Sequence, residues 1–304
     1  MKRRADSRHI SILHRLRNRA KEEKLPPNTV LPYYGMESFL RRLSKSKYRE
    51  QLILKGALIF NAFNIPLRRS TRDIDFHGYV DNEMDALANI VKEICEVPAD
   101  DGIEFDINSM TAEQIMLDAN YEGVRIKLVG YLGKSKINLQ LDFSFVDVIT
   151  PGEKELDYPT LLDTAPFKVF GYPLETVIAE KLETMVRRSE FNSRRKDFYD
   201  LWLLSKMREF DGSLLLRAIK ETFQNRKTGI PGGLITALSD DFAKRYQTEW
   251  TAFLRREGLA GPGLDNFEAI VGDLKLFLLP PLEAANNRDP FSAVWEPGGP
   301  WTSL

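Results

Sequence analysis

Apolar positions recur in two different ways along this chain, and the change falls near residue 155. Before it, helical spacing and apolar-polar alternation follow one another; from "PLETVIAEKLETMVRRS" onward, apolar residues recur almost only at threes and fours. In the first part, Ile10, Leu13, Leu16 and Ala20 of "ISILHRLRNRAKEE" predict a helix. "SFLRRLSKS" predicts a second, short helix, with turns at the Pro-Pro-Asn and Pro-Tyr-Tyr steps between the two. "YREQLILKGALIFNAFNI" reads as a helix or a strand-flanked helix, and "DNEMDALANIVKEICEV" as an amphipathic helix with Asp81 as N-cap. "GVRIKLVGYLG" and "KINLQLDFSFVDV" alternate with period two, which predicts two strands joined by a tight turn at Gly133, Lys134 and Ser135. The expected fold is therefore α/β (α+β), with a mixed sheet in residues 1–155 and a helical domain in residues 156–285. In the helical domain "RRKDFYDLWLLSKM", "GSLLLRAIKETF" and "DDFAKRYQTEWTAFLRRE" are successive amphipathic segments. Residues 286–304, rich in Pro, Gly and Asn, read as an extended tail whose Phe291, Trp295 and Trp301 pack on the body or on a partner.

One strand carries an unusual pattern. In "STRDIDFHGYV" the side chains alternate, so Asp73, Asp75 and His77 share one face while Ile74 and Phe76 share the other. Two carboxylates on one face repel unless a cation or water lies between them, and a hard divalent ion is the usual companion. In "KINLQLDFSFVD" Asp142 lies on the polar side of a strand, free to meet the first two. Three strand-borne aspartates suit two-metal phosphoryl or nucleotidyl transfer. A lone D-x-D step is more often a solvated turn. His77 reads either as a further ligand or RNA contact or as a structural strand-end histidine, and stays outside the catalytic set. On the helix "LETVIAEKLETMV", Lys181 falls inside the stripe of Leu174, Val177, Ile178, Leu182 and Met185. A core-facing ammonium either snorkels to water or meets an anion, and a triphosphate is one such anion. Downstream, Asp197 and Asp200 lie three apart behind Arg194, Arg195 and Lys196, where an intrahelical salt-bridge network is the plain alternative to a functional role.

Composition narrows the class of protein. The single cysteine, Cys95, excludes a disulfide framework and a cysteine-based zinc site, so a cytoplasmic location is expected. No run of 18 apolar residues occurs, so no membrane span is expected. The net charge of −1 conceals segregation: residues 1–50 hold 14 Lys and Arg against 5 Asp and Glu, a local +9 that leaves −10 on the rest. A basic N-terminal region can contact the phosphates of a nucleic acid, although basic solvated helices are common.

Taken in order, "LKGALIF", "RRSTRDIDF", "INLQLDF", "VIAEKLETMVRR" and "RRKDFYDLW" resemble the AbiEii/AbiGii toxins, which include the MenT-type enzymes. These are nucleotidyltransferase toxins of bacterial toxin–antitoxin and abortive-infection systems. The resemblance spans about residues 10–205. It implies a polymerase-β-like nucleotidyltransferase core followed by a helical domain. It also implies transfer of nucleotides from NTP to RNA, in several members to the 3′ acceptor end of tRNA, which stops translation. By position, Asp73, Asp75 and Asp142 would hold Mg²⁺ (or Mn²⁺), and Lys181 would contact the nucleotide phosphates. Asp197 or Asp200 would be the acidic member of the last motif, and Lys55, Gly56, Arg69 and Thr71 would belong to the nucleotide-binding motifs. Ala57 departs from the family, where many members carry a second glycine or a serine. A cognate antitoxin protein is an implied partner, beside NTP and RNA. Thr71 shares the strand face of the metal aspartates, so a phosphate added there would place about two negative charges where triphosphate must bind. A metal-dependent RNA nuclease, or an RNA- or protein-binding module with a decayed site, are the competing readings.

Overall fold

The computed structural model describes residues 2–22, 29–65, 69–118, 121–162 and 164–303. The chain divides into two compact units, one of residues 1–146 and 154–172, the other of residues 147–153 and 173–304.

The first unit opens with two helices, α1 (Lys2–Glu22) and α2 (Val30–Leu43). Ile12, Leu16 and Ala20 are the buried face of α1, four residues apart, while Ile10 is exposed. Pro32, Tyr33 and Tyr34, expected in a turn, lie inside α2. Proline fits the first turn of a helix because the amide it lacks there has no partner in any case. The Pro-Pro-Asn step falls outside the described residues. Next come β1 (Leu52–Lys55), the one-turn helix α3 (Ile59–Ala62), β2 (Asp73–Gly78) and α4 (Met84–Glu96). Asp81 is not the N-cap of α4; Glu83 is, and the Asp81 carboxylate instead accepts the Glu83 amide in an Asx turn just upstream. Three long strands follow, β3 (Ile103–Asp118), β4 (Tyr121–Leu132) and β5 (Ser135–Ser144), then β6 (Lys154–Tyr158) and β7 (Phe167–Gly171).

These strands form one mixed sheet in the order β3-β4-β5-β2-β1-β7-β6. Strand β2 lies between β5, to which it is parallel, and β1, to which it is antiparallel. Strand β7 joins the far side of β1 in parallel. The β4–β5 hairpin turns at Gly133 and Lys134, as its alternation predicts. Ile74, Phe76, Leu141 and Phe143 are fully buried on one side, and the rings of Phe76 and Phe143 stack with centroids 5.5 Å apart. Helix α2 covers this side closely: a side chain on Gly35 would come within 2.7 Å of Ile137. One face of β2 is thus fixed in the core, and by the pleat its other face is left for Asp73 and Asp75.

The second unit contains α5 (Leu174–Arg188), α6 (Arg195–Met207), α7 (Gly212–Asn225), α8 (Asp240–Arg245), α9 (Gln247–Glu257) and α10 (Phe267–Asn287). A small sheet of β8 (Phe210–Asp211), β9 (Ala293–Trp295) and β10 (Trp301–Ser303) adjoins them. The segment read as an extended tail therefore folds back as a hairpin. Its Trp295 and Trp301 pack on Phe277 of α10, and both indoles donate to backbone carbonyls, Trp295 to Ser205 and Trp301 to Phe277. Burial of these two rings outweighs the turn-forming character of the Pro and Gly between them. Among the described residues, no helix is long and apolar enough to cross a membrane.

Candidate active site

The parallel pairing of β2 with β5 sets Asp75 opposite Asp142 and Asp73 opposite Gln140. Oxygens of Asp73, Asp75 and Asp142 lie within 4.8 Å of one another. Each carboxylate comes from a strand whose alternate residues are buried, so the backbone beneath the cluster is rigid. Three hard oxygen donors at this spacing fit Mg²⁺ or Mn²⁺, and their chemistry does not discriminate between the two ions.

The surroundings of the cluster are built closely around it. Gly56, directly after β1, has φ +66, and a Cβ there would lie 1.9 Å from Oδ2 of Asp75. Glycine is required twice over, by the left-handed backbone and by the approach of the carboxylate. Lys55 pairs with Asp75 across the β1–β2 ladder and sets its ammonium 5.4 Å from the centre of the Tyr172 ring. Ahead of β2, the Tyr33 hydroxyl donates to the Arg69 carbonyl at 2.9 Å and accepts the Thr71 amide at 3.1 Å. That one hydroxyl fixes the backbone on both sides of Ser70. The buried Thr71 hydroxyl donates to Oδ1 of Asp73 at 2.9 Å, so it is already engaged by a carboxylate of the cluster.

Two contributors lie outside the sequence motifs. Tyr33 is one, hidden in a segment that reads as a turn. The other is Arg125 on β4, which forms a fork with Asp142, Nε to Oδ1 at 2.8 Å and Nη2 to Oδ2 at 2.7 Å. This bond pushes the Arg125 guanidinium up from its ordinary value, with a smaller contribution from the charge of Asp73. Its signal in the sequence is a basic residue amid the apolar alternation of "GVRIKLVGYLG". Its partner is legible only once the β4–β5 register is known. His77 is buried on β2, its ring edge-on to Tyr79 at 4.8 Å.

In the second unit a separate cluster forms. Lys181 on α5 donates to Oδ1 of Asp197 at 2.7 Å and to Oδ2 of Asp200 at 2.9 Å, both on α6. The two aspartates are 1% exposed and the lysine 13%. The anions that the core-facing ammonium meets are thus two carboxylates of the neighbouring helix, and the network is interhelical. Arg194 adds a bond from Nε to Asp197. Burial on its own would raise the Asp197 carboxyl, but the charges of Lys181 and Arg194 outweigh it and hold the group well below the usual carboxylate range. Deeper in the unit Arg226 bridges Asp147, Glu180 and Glu183, and despite its burial these three anions hold it above its ordinary value.

Residues 38–272 match the family described as the nucleotidyl transferase AbiEii toxin of type IV toxin–antitoxin systems. The match covers well over half of the chain. This chain belongs to the AbiEii family. It is accordingly a nucleotidyltransferase of the toxin–antitoxin class, with a nucleotide substrate and an antitoxin partner implied by the family. No curated protein sequence matches it. Among solved structures it is similar to JHP933 from Helicobacter pylori, at 15% identity and a TM-score of 0.51, over 87% of this chain and 94% of that one. This likeness is one of fold alone. MenT4, a nucleotidyltransferase toxin from Mycobacterium tuberculosis, aligns at 13% identity and a TM-score of 0.47, over 85% of this chain and 94% of that one.

Proposed function

We propose that this AbiEii enzyme transfers a nucleoside monophosphate from NTP to RNA, at the 3′ acceptor end of tRNA, and so blocks translation. The observation that carries the reading is the cluster of Asp73, Asp75 and Asp142, held on adjacent strands within 4.8 Å and backed by Gly56. These three aspartates would hold the divalent ions. When bound, Mg²⁺ or Mn²⁺ supplies positive charge that neutralises the triphosphate and acidifies the attacking hydroxyl. The RNA 3′ oxygen forms a bond to the α-phosphorus as the bond between the α-phosphorus and the bridging oxygen breaks. Pyrophosphate leaves with that electron pair, and the hydroxyl proton passes to solvent. Lys55, Gly56, Arg69 and Thr71 line the nucleotide side of the cluster in this reading. The basic helices of residues 1–50 meet the RNA backbone in the same reading.

The test is incubation of the protein with total tRNA, Mg²⁺ and each of the four labelled NTPs in turn, with Asp75→Ala in parallel. Label on tRNA with the wild type alone is the expected result, and it also identifies the nucleotide. Shortened tRNA without label would replace the reading with nuclease chemistry, and intact unlabelled tRNA would rule out tRNA as the acceptor. Repeating the assay with Mn²⁺ separates the two candidate ions.

A further inference from the structure

One row of residues runs straight across five strands of the sheet in the first unit. Lys55 of β1 lies opposite Asp75 of β2, Asp75 opposite Asp142 of β5, Asp142 opposite Arg125 of β4, and Arg125 opposite Glu113 of β3. Residues opposite one another on neighbouring strands share a face, so all five side chains project to the same side of the sheet. The two carboxylates at the centre of the row are therefore flanked by a cation on each side. Lys55 and Gly56 belong to the motif read as nucleotide-binding, which puts the triphosphate on the β1 flank. Arg125, on the β4 flank, lies outside every one of those motifs.

The β4 flank is open to solvent. Lys127, Lys136 and Asn138, which β4 and β5 turn to this face beyond the row, are exposed, while Ile126, Leu128, Leu139 and Leu141 of the opposite face are buried. The fork from Arg125 to Asp142 takes up Nε and Nη2, and Nη1 makes no hydrogen bond among the described residues. The arginine side chain is 29% exposed, against 5% for the carboxylate it grips. A guanidinium carries five donors in a fixed plane, so one that is held by a carboxylate still presents donors to a second anion. Glu113, opposite, would repel such an anion, but Lys127 neutralises it at 2.6 Å. A held cation with unused donors thus stands beside the third aspartate, on the flank away from the nucleotide motifs.

In-line displacement places the attacking and leaving oxygens on opposite sides of the phosphorus. With the triphosphate on the β1 flank, the acceptor arrives over β4. Besides its hydroxyl, an RNA 3′ end brings there the phosphodiester that joins its last two nucleotides. We propose that Arg125 binds this terminal phosphodiester through Nη1 while Nε and Nη2 hold Asp142, so that one side chain ties the acceptor strand to the aspartate cluster. This rests on the nucleotidyl-transfer reading above, and it adds a substrate contact on the acceptor side, where the sequence motifs assign none.

The test pairs Arg125→Ala and Arg125→Gln with tRNA rebuilt by ligation so that its last linkage is either the natural phosphodiester or an uncharged methylphosphonate. A hydrogen bond between charged groups corresponds to about 10–100-fold in affinity, so with the wild type the neutral linkage raises the KM for tRNA by that factor. Both variants show the raised KM with natural tRNA and no further rise with the neutral last linkage. Neutralising the preceding linkage instead costs the variants what it costs the wild type. Arg125→Gln keeps an amide donor for Asp142, so it separates loss of the phosphate contact from loss of the grip on Asp142. A second readout is free of metal and of turnover: Kd for the same tRNAs is measured by fluorescence anisotropy in EDTA without NTP, and the same pattern is expected. A wild type indifferent to its last linkage overturns the proposal. So does a methylphosphonate penalty that persists undiminished in both variants while their kcat and Mn²⁺ affinity fall, because that is the result for a residue that only positions Asp142. If the wild type labels no tRNA at all, the tRNA reading itself fails and the proposal falls with it.

Discussion

The contact between Gly56 and Asp75 makes a prediction that needs one methyl group. Gly56→Ala places a Cβ inside the Asp75 carboxylate and must displace either the chain or the ligand. A displacement of about 1 Å at a reacting centre costs roughly 100-fold in rate, so label incorporation should fall by about that factor. Circular dichroism should show the fold retained. Arg125 acts on the same cluster from the other side, because it holds both oxygens of Asp142. Loss of a partner that orients a metal ligand typically weakens the metal by about 10–100-fold. Arg125→Ala should do so in a calorimetric titration with Mn²⁺, and Arg125→Lys should recover only part, because an ammonium cannot reproduce the two-pronged bond. Asp197 predicts a pH effect. Its carboxyl titrates lower in the folded protein than the unfolded value of about 3.9, so the unfolded chain takes up its proton first. Its contribution is complete above that value and is lost as pH falls below it. In thermal melts between pH 5 and pH 3, Asp197→Asn should show a shallower decline in Tm than the wild type.

At the scale of elements, the pairing of α5 with α6 depends on Lys181. Lys181→Met leaves two buried carboxylates with reduced compensation, and breaking a buried pair in this way costs about 3–5 kcal/mol. Urea denaturation should register that loss, and adding Asp197→Asn and Asp200→Asn to Lys181→Met should restore much of it. Lys181 is legible in the sequence because a lysine in an apolar stripe demands an anion. That its anions lie on the next helix cannot be read from one helix alone. The β2 and β5 strands are legible for a related reason: with period two and one buried face, only one phase of side chains is possible, and that phase puts the aspartates together. Strand β3 shows the same alternation only over its first six residues, Ile103 to Asn108. Its pairing with β4 shifts register between Asp106 and Thr111, so apolar residues on either side of the irregularity fall out of phase and the alternation does not survive over its whole length. Tyr33 reads as a turn residue because proline and paired tyrosines signal a turn locally, whereas the helix they begin is stabilised by burial of Met36, Phe39, Leu40 and Leu43. The hairpin at residues 293–303 is hidden in the sequence because its strands are only three residues long and are held by indole packing.

At the scale of the molecule, charge segregation is the feature that sequence shows most directly. If the basic helices meet RNA, the KM for tRNA should rise steeply with salt. Arg17 and Lys21 on α1 are both exposed. Arg17→Gln with Lys21→Gln should reduce the slope of log KM against log salt by about 0.7–0.9 for each RNA phosphate that is no longer neutralised. The KM for NTP should be unaffected. The family match spans residues 38–272, and the aspartate cluster and the Lys181 cluster within it belong to different units.

The first unit is not one continuous stretch of chain: it ends at residue 146, resumes at residue 154 and is complete only at residue 172. The resumed stretch brings β7, which lies against β1, the strand that leads into Gly56. A ribosome that has made β1 to β5 has therefore made all three aspartates but not the strand that closes the far side of β1. Until residue 171 has emerged, the backbone groups on that flank are an open edge, able to recruit another chain. A nascent or prematurely terminated chain thus carries its three aspartates on a sheet whose β1 flank is still open.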